Sequence, residues 1–237
     1  MRALSSLAYR ARWARLGVFY LKSPKIDRLQ VGEHSVRLLL PETERSVQEH
    51  EFHRIAIEDC YRLAKISRPV RTVLDVGANI GLFAIAARHH FPEAAIHCYE
   101  PNPALASFIL PHCKAVNATY YAEAIGAKSG SVSLNSRGNS LHSTISSVGF
   151  IRQTAFCDAT ARLGEIDLLK LDCEGAEWDL FSVTEPWQQV RHLTMEYHLW
   201  ANPGATVETL FAKLEALGFH RINIEPKNSF GLAFACK

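Results

Sequence analysis

The stretch Thr72-Val73-Leu74-Asp75-Val76-Gly77-Ala78-Asn79-Ile80-Gly81-Leu82 constrains the fold more than any other part of the chain. An apolar run rich in β-branched residues ends in a glycine turn, and a helical pattern over residues 82–90 follows at once. The alternation then repeats, with a strand pattern at 95–99 and a helical one at 103–113. Strands joined through helices are parallel neighbours, because a parallel pair needs a long crossover connection. Strands at 166–171 and 192–197, a short helix at 175–181 and a helix at 207–217 stopped by Gly218 continue the pattern. Residues 119–125 and 131–134 read as two further strands separated by turn formers.

The end of the chain refines this α/β class. Residues 219–224 and 230–235, separated by a turn at 225–229, read as an antiparallel hairpin. A dinucleotide-binding Rossmann domain keeps its sheet parallel, whereas an antiparallel last strand inserted by a hairpin is how the methyltransferase version of the fold ends. The predicted architecture is therefore a Rossmann-like methyltransferase fold: a mostly parallel seven-stranded sheet, helices on both faces, and a C-terminal antiparallel hairpin.

Upstream, residues 29–40 read as a hairpin about a glycine, ended by Pro41, and 47–66 carry apolar residues at helical spacing. Before them, Arg2, Arg10, Arg12, Arg15, Lys22 and Lys25 precede the first acid, Asp27, among apolar residues. This basic amphipathic segment suits a helix packed on the domain, a peripheral membrane contact or a targeting peptide. Residues 1–46 are thus assigned to an N-terminal extension of basic helix and hairpin, and 47–237 to the main domain.

Net charge is only +2, so no basic patch points to nucleic acid. No apolar run is long enough to span a bilayer, and the six cysteines are scattered, as expected of a cytoplasmic protein. Residues 135–147 form a polar stretch containing Arg137 and His142 and read as a loop, either a lid over a site or plain linker.

The glycine loop lies where ligands of open α/β sheets bind, at the carboxyl edge. Its spacing is Gly-x-x-x-Gly, preceded by Asp75, rather than Gly-x-Gly-x-x-Gly. A pyrophosphate prefers helix-terminal amides without a carboxylate beside them, while S-adenosylmethionine carries a cationic amine and a sulfonium that suit Asp75. Glu100, closing the next strand before Pro101 and Asn102, is placed to accept the ribose hydroxyls. The plainer reading of either acid is a helix cap. Both together, around the glycine loop, favour S-adenosylmethionine as cofactor.

The chain resembles the FkbM family of S-adenosylmethionine-dependent methyltransferases. The likeness rests on residues 73–81, on Tyr99-Glu100-Pro101-Asn102-Pro103, on Ile166-Asp167-Leu168-Leu169-Lys170-Leu171-Asp172-Cys173-Glu174-Gly175-Ala176-Glu177, and on Met195-Glu196-Tyr197-His198. The resemblance implies methyl transfer to a hydroxyl of a small molecule or carbohydrate. It further implies a cofactor held by Asp75, Gly77, Ala78, Asn79, Gly81, Glu100, Pro101 and Asn102, with adenine beside Glu123 and Ala124.

Methyl transfer from a sulfonium is an in-line displacement, so the enzyme must align the acceptor, exclude water and take up a proton. Asp172 and Glu174 leave one strand at the ligand-binding edge and His198 leaves the next, making all three catalytic candidates. His198, titrating near neutrality, is the better base in principle. The two acids also suit a helix cap or pairing with Lys170 or Arg191, and with His198 they are a donor set that could hold a divalent cation orienting the acceptor hydroxyl; the spacing is not a metal signature, so no metal is expected. Glu177 and Asp179 read as solvated acids, and Trp178 as core or cleft wall. Methylation of nitrogen or of a macromolecule, and a silent cofactor-binding subunit, are alternatives left open by the residues alone.

Overall fold

In the computed structural model the described residues are Ala14, 28–66, 69–136 and 143–237, with only the backbone described at 135–136 and 143–149. Apart from Ala14, the basic segment 1–25 lies outside them, as do Arg137 and His142. Among the described residues no helix is long and apolar enough to cross a membrane.

Strands β1 (Arg28–Val31) and β2 (His34–Arg37) form the expected hairpin. Their alternation buries Leu29, Val31 and Val36 within the same apolar cluster as the helices described below. Helix α1 (Arg45–Phe52) is far shorter than the helix expected over 47–66. It widens into a π-type turn at His53–Ile57, and the chain then leaves helical geometry at Asp59 and Arg62, with φ of +54° and +55°. Asp59 is the physical reason, because its carboxylate accepts the backbone amides of Leu63 at 2.6 Å and Ala64 at 3.0 Å, offering the backbone a local alternative to the helix.

The alternating region follows as β3 (Thr72–Val76), α2 (Leu82–His90), β4 (Ala95–Tyr99), α3 (Ala106–Ala115) and β5 (Thr119–Tyr121). The single strand expected over 119–125 is in fact two. β6 (Ala124–Gly126) leaves the main sheet and joins β7 (Gly130–Ser136) and β8 (Ser143–Ala155) in a second sheet of order β6-β8-β7. Residues 143–147, read above as loop, are thus strand, with Ile145 opposite Leu134 and Thr144 opposite Asn135. Polarity misled there because a ladder satisfies the backbone whatever the side chains, and the partner strand supplies the bonds.

The chain continues through α4 (Phe156–Ala161), β9 (Ile166–Leu171), α5 (Glu177–Leu180), β10 (Val190–His198), α6 (Val207–Ala216), β11 (Arg221–Pro226) and β12 (Phe230–Cys236). The main sheet has seven strands in the order β11-β12-β10-β9-β3-β4-β5, and β12 runs antiparallel to both neighbours. One apolar cluster joins α2, α3 and the N-terminal hairpin on one face of the sheet; a second, around Trp187, Leu210 and Phe219, covers the other. Every residue of β9 is buried, which places its carboxyl end, and that of β3 beside it, at the middle of the ligand-binding edge.

Candidate active site

A cleft of about 360 Å³ opens over that edge. Gly77, Ala78, Asn79, Glu100 and Pro101 line it, together with Glu123, Ala124, Asp172, Glu174, Glu196 and Tyr61. The loop after β3 is held by its neighbours: the amides of Gly77 and Ala78 both donate to the Tyr99 carbonyl at 3.0 Å. Gly77 has φ of +78°, and a Cβ there would come within 1.7 Å of the Asp172 carbonyl oxygen. Glycine is required because two strand ends touch at this point. Gly81, with φ of +86°, packs at the start of α2 near His112 and Ile109, away from the cleft.

Asp75 does not line the cleft. It is fully buried in the middle of the sheet, opposite Lys170 in the β3–β9 register, with the Lys170 ammonium 3.1 Å from its Oδ1. Lys170 also donates to the Gly77 carbonyl at 2.6 Å and reaches that of Val76 at 3.4 Å. Burial alone would lower its pKa, but the Asp75 carboxylate prevails and holds it above its ordinary value. Asp75 is therefore connected to the cleft only through Lys170 and the loop that Lys170 ties down. A lone lysine inside the apolar run Leu168-Leu169-Lys170-Leu171 was the available signal, since such a charge needs a partner.

Glu100 is 8% exposed and faces the cleft, one oxygen accepting the Asn79 amide at 2.9 Å and the other the Asn102 amide at 2.8 Å. Burial raises its pKa to about 7 against the opposing effect of these two amides. Each of its two oxygens is thus engaged by a backbone amide, one from the loop and one from the turn after β4. Asn102 is a cap, its side chain accepting the Ala104 amide at 3.0 Å. Asn79, at φ of +48°, accepts from Gln48 at 3.2 Å. Glu123 accepts from Thr154 at 2.6 Å and from Arg162 at 2.9 Å, and Arg162 lies over the Tyr121 ring, which stacks on Tyr99.

The Tyr61 hydroxyl donates to Asp172 at 2.9 Å. Glu174 has φ of +52°, and burial, followed by the nearby Asp172 charge, raises its pKa to about 7. His198 is 4% exposed and set behind the lining. Its Nδ1 lies 3.0 Å from Glu177, which also accepts the His198 backbone amide at 2.7 Å. Its Nε2 points toward Glu174 at 3.7 Å and Glu196 at 3.9 Å.

Two expectations change here. Glu177 is fully buried, because it bonds His198 and the Gly175 amide instead of water. Burial would depress the His198 pKa, but the Glu177 hydrogen bond and the surrounding carboxylates lift it to about 9. The imidazole is then largely protonated at neutral pH, not the free base that its ordinary pKa suggested. Trp178 packs against the second apolar cluster and donates to the His198 carbonyl at 2.8 Å. Glu196, missed in the sequence, is brought in by β10 and pairs with Arg54 at 3.2 Å; Arg54 also bonds Glu51 at 3.0 Å. Arg191, a sequence candidate for pairing with the catalytic acids, instead meets Glu165 and Asp167 at the opposite end of the sheet.

Among solved structures, an FkbM methyltransferase from Methylobacillus flagellatus is similar at 14% identity with a TM-score of 0.51, over 72% of this chain and 45% of that one. This chain thus spans less than half of that protein. A precorrin-6y C5,15-methyltransferase from Geobacter metallireducens is similar at 15% identity and a TM-score of 0.45, over 91% of this chain and 99% of that one. A magnesium protoporphyrin IX methyltransferase from Synechocystis, with bound SAM, is similar at 11% identity and a TM-score of 0.48, over 84% of this chain and 85% of that one. No curated protein matches the sequence. The methyltransferase FkbM domain matches residues 75–221, from the buried acid of β3 to the start of β11, and the chain belongs to that family.

Proposed function

We propose that the protein is an S-adenosylmethionine-dependent O-methyltransferase acting on a hydroxyl of a small molecule or carbohydrate. One observation carries the reading: the glycine loop, Glu100, Asp172 and Glu174 all line one cleft, so it has room for a donor and an acceptor side by side. Glu100 takes the ribose hydroxyls, the carbonyls of residues 77–79 take the ammonium of the amino-acid end, and Glu123 with Ala124 and Tyr99 flanks the adenine. Asp75 contributes from below by fixing Lys170 and, through it, the loop.

When bound, the cofactor supplies an electrophilic methyl group. The chain's task is then to hold a hydroxyl in line with it and to accept the hydroxyl proton; Asp172 and Glu174 are the acceptors assembled for this, with the imidazolium of His198 beside them. Calorimetry with S-adenosylhomocysteine tests the donor site: saturable binding that Glu100→Ala weakens is expected, and folded protein without binding overturns it. Transfer of labelled methyl into a metabolite extract tests the acceptor. Label recovered in methyl ethers agrees with the proposal, and label confined to amines or to macromolecules refutes it.

A further inference from the structure

The acceptor end of the cleft carries more organisation than proton transfer alone needs. Asp172 and Glu174 leave the end of β9, and His198 leaves the end of β10; one ligand atom from each lies within 4.8 Å of the other two. The separations fit an ion better than they fit direct contact. Nε2 of His198 is 3.7 Å from Glu174 Oε2, too long for a hydrogen bond. Two ligands each about 2.1–2.2 Å from one divalent ion stand roughly 3.0 Å apart at right angles and about 4.4 Å apart when opposite.

A second observation concerns the imidazole. Glu177, fully buried and outside the ligand set, holds Nδ1 of His198 at 3.0 Å and the same residue's backbone amide at 2.7 Å. That grip fixes the ring and turns Nε2 toward the two acids. A carboxylate behind the far nitrogen is the arrangement that orients metal-ligating histidines and makes them more basic toward the metal. Two more polar groups stand beside the cluster: Tyr61 bonds Asp172, and Glu196 approaches Nε2 at 3.9 Å while paired with Arg54.

We propose that Asp172, Glu174 and His198 form a binding site for a divalent cation of the Mg²⁺ or Mn²⁺ class, which orients the acceptor hydroxyl. Two carboxylates and one imidazole are a mainly hard donor set, and three protein ligands leave positions for water or for the acceptor's oxygens. Binding releases a proton from Nε2 of the imidazolium and places a positive charge among the carboxylates that converge there. An acceptor oxygen on the ion loses its proton more readily, so the cation supplies what the sequence had assigned to a free histidine base. The orienting part of this proposal rests on the O-methyltransferase reading; the site itself does not.

The test uses the full chain freed of metal with chelator and titrated with Mn²⁺, free ion being followed by electron paramagnetic resonance. One saturable site per chain is expected. Glu174→Gln should weaken it by about tenfold or more, and Glu177→Gln, which loosens the ring without removing a ligand, by about 10–100-fold. No saturable site, or a site untouched by Glu174→Gln and by Asp172→Asn, overturns the proposal. S-adenosylhomocysteine binding is measured on the same samples. Its loss speaks against the donor site, whereas its retention without Mn²⁺ binding removes the metal site alone. Glu174 is partly exposed and tolerates the isosteric change, so its variant decides the question if a substitution at His198 or Glu177 prevents folding.

Discussion

Replacing Lys170 by methionine tests the proposed construction of the loop most directly. Lys170 and Asp75 are 3% and 0% exposed, so neither charge can turn to water when its partner is removed. Lys170→Met leaves a buried carboxylate unpaired and deprives the Gly77 carbonyl of its donor at 2.6 Å. Breaking a buried ion pair from one side costs about 3–5 kcal/mol. At roughly 2–4 °C per kcal/mol for a chain of this size, Tm should fall by about 6–20 °C. The double variant Asp75→Leu/Lys170→Met removes both charges, and a well-packed apolar pair in place of a buried ion pair is often neutral. It should regain part of the loss and retain a deficit of about 1 kcal/mol for the Gly77 carbonyl, the lower end of what an unmet buried acceptor costs. Urea denaturation of the three proteins measures the cycle, and calorimetry with S-adenosylhomocysteine should show weakened binding in the single variant under conditions where it is folded. A single variant within about 1 kcal/mol of the parent, or a double no better than the single, refutes the account.

Gly77→Ala should abolish S-adenosylhomocysteine binding and sharply lower Tm, because its Cβ meets the Asp172 carbonyl oxygen in a left-handed backbone; a thermal melt near that of the parent contradicts this. Glu100 has a folded pKa raised from 4.5 to about 7, so its ionisation opposes folding: the associated stability is present at low pH and is lost as pH rises toward 7. Glu100→Gln should therefore flatten that decline in urea melts between pH 5 and 8. If the ionised form binds the ribose, S-adenosylhomocysteine affinity should fall about tenfold from pH 8 to pH 6, a dependence Glu100→Gln removes. Tyr61→Phe deletes the hydrogen bond to Asp172 while keeping the ring against Phe83; it should lower methyl transfer with little change in S-adenosylhomocysteine affinity, measured by calorimetry. Arg162→Ala should weaken S-adenosylhomocysteine binding by freeing Glu123 and unstacking the cation from Tyr121, and unchanged affinity would place adenine elsewhere.

Local rules made the core of the molecule legible. The strand-turn-helix of residues 72–90, the buried run at 166–171 and the closing hairpin each follow from side-chain period and turn chemistry, and those are properties of neighbours in sequence. The same holds for Glu100, whose place at a strand end before Pro101 put it at the ligand edge. The helix expected over 47–66 failed because Asp59 competes for amides at Leu63 and Ala64, a local bond that periodicity does not register. Residues 143–147 looked like loop because their strand partner, β7, has to be known before their backbone can be satisfied.

What the sequence by itself determined is the fold class, the loop, and the acids that emerge at its edge. Tertiary structure alone decided which way each charge is used. Asp75 turned from ligand contact to the buried partner of Lys170 because the β3–β9 register sets them side by side. Glu177, read as solvated, became the anchor of His198, because α5 carries it beneath the end of β10. Burial and unlike neighbours fix protonation, and both depend on residues far apart in the chain, so the imidazolium, and the three-residue cluster around it, exist only once the strands have paired.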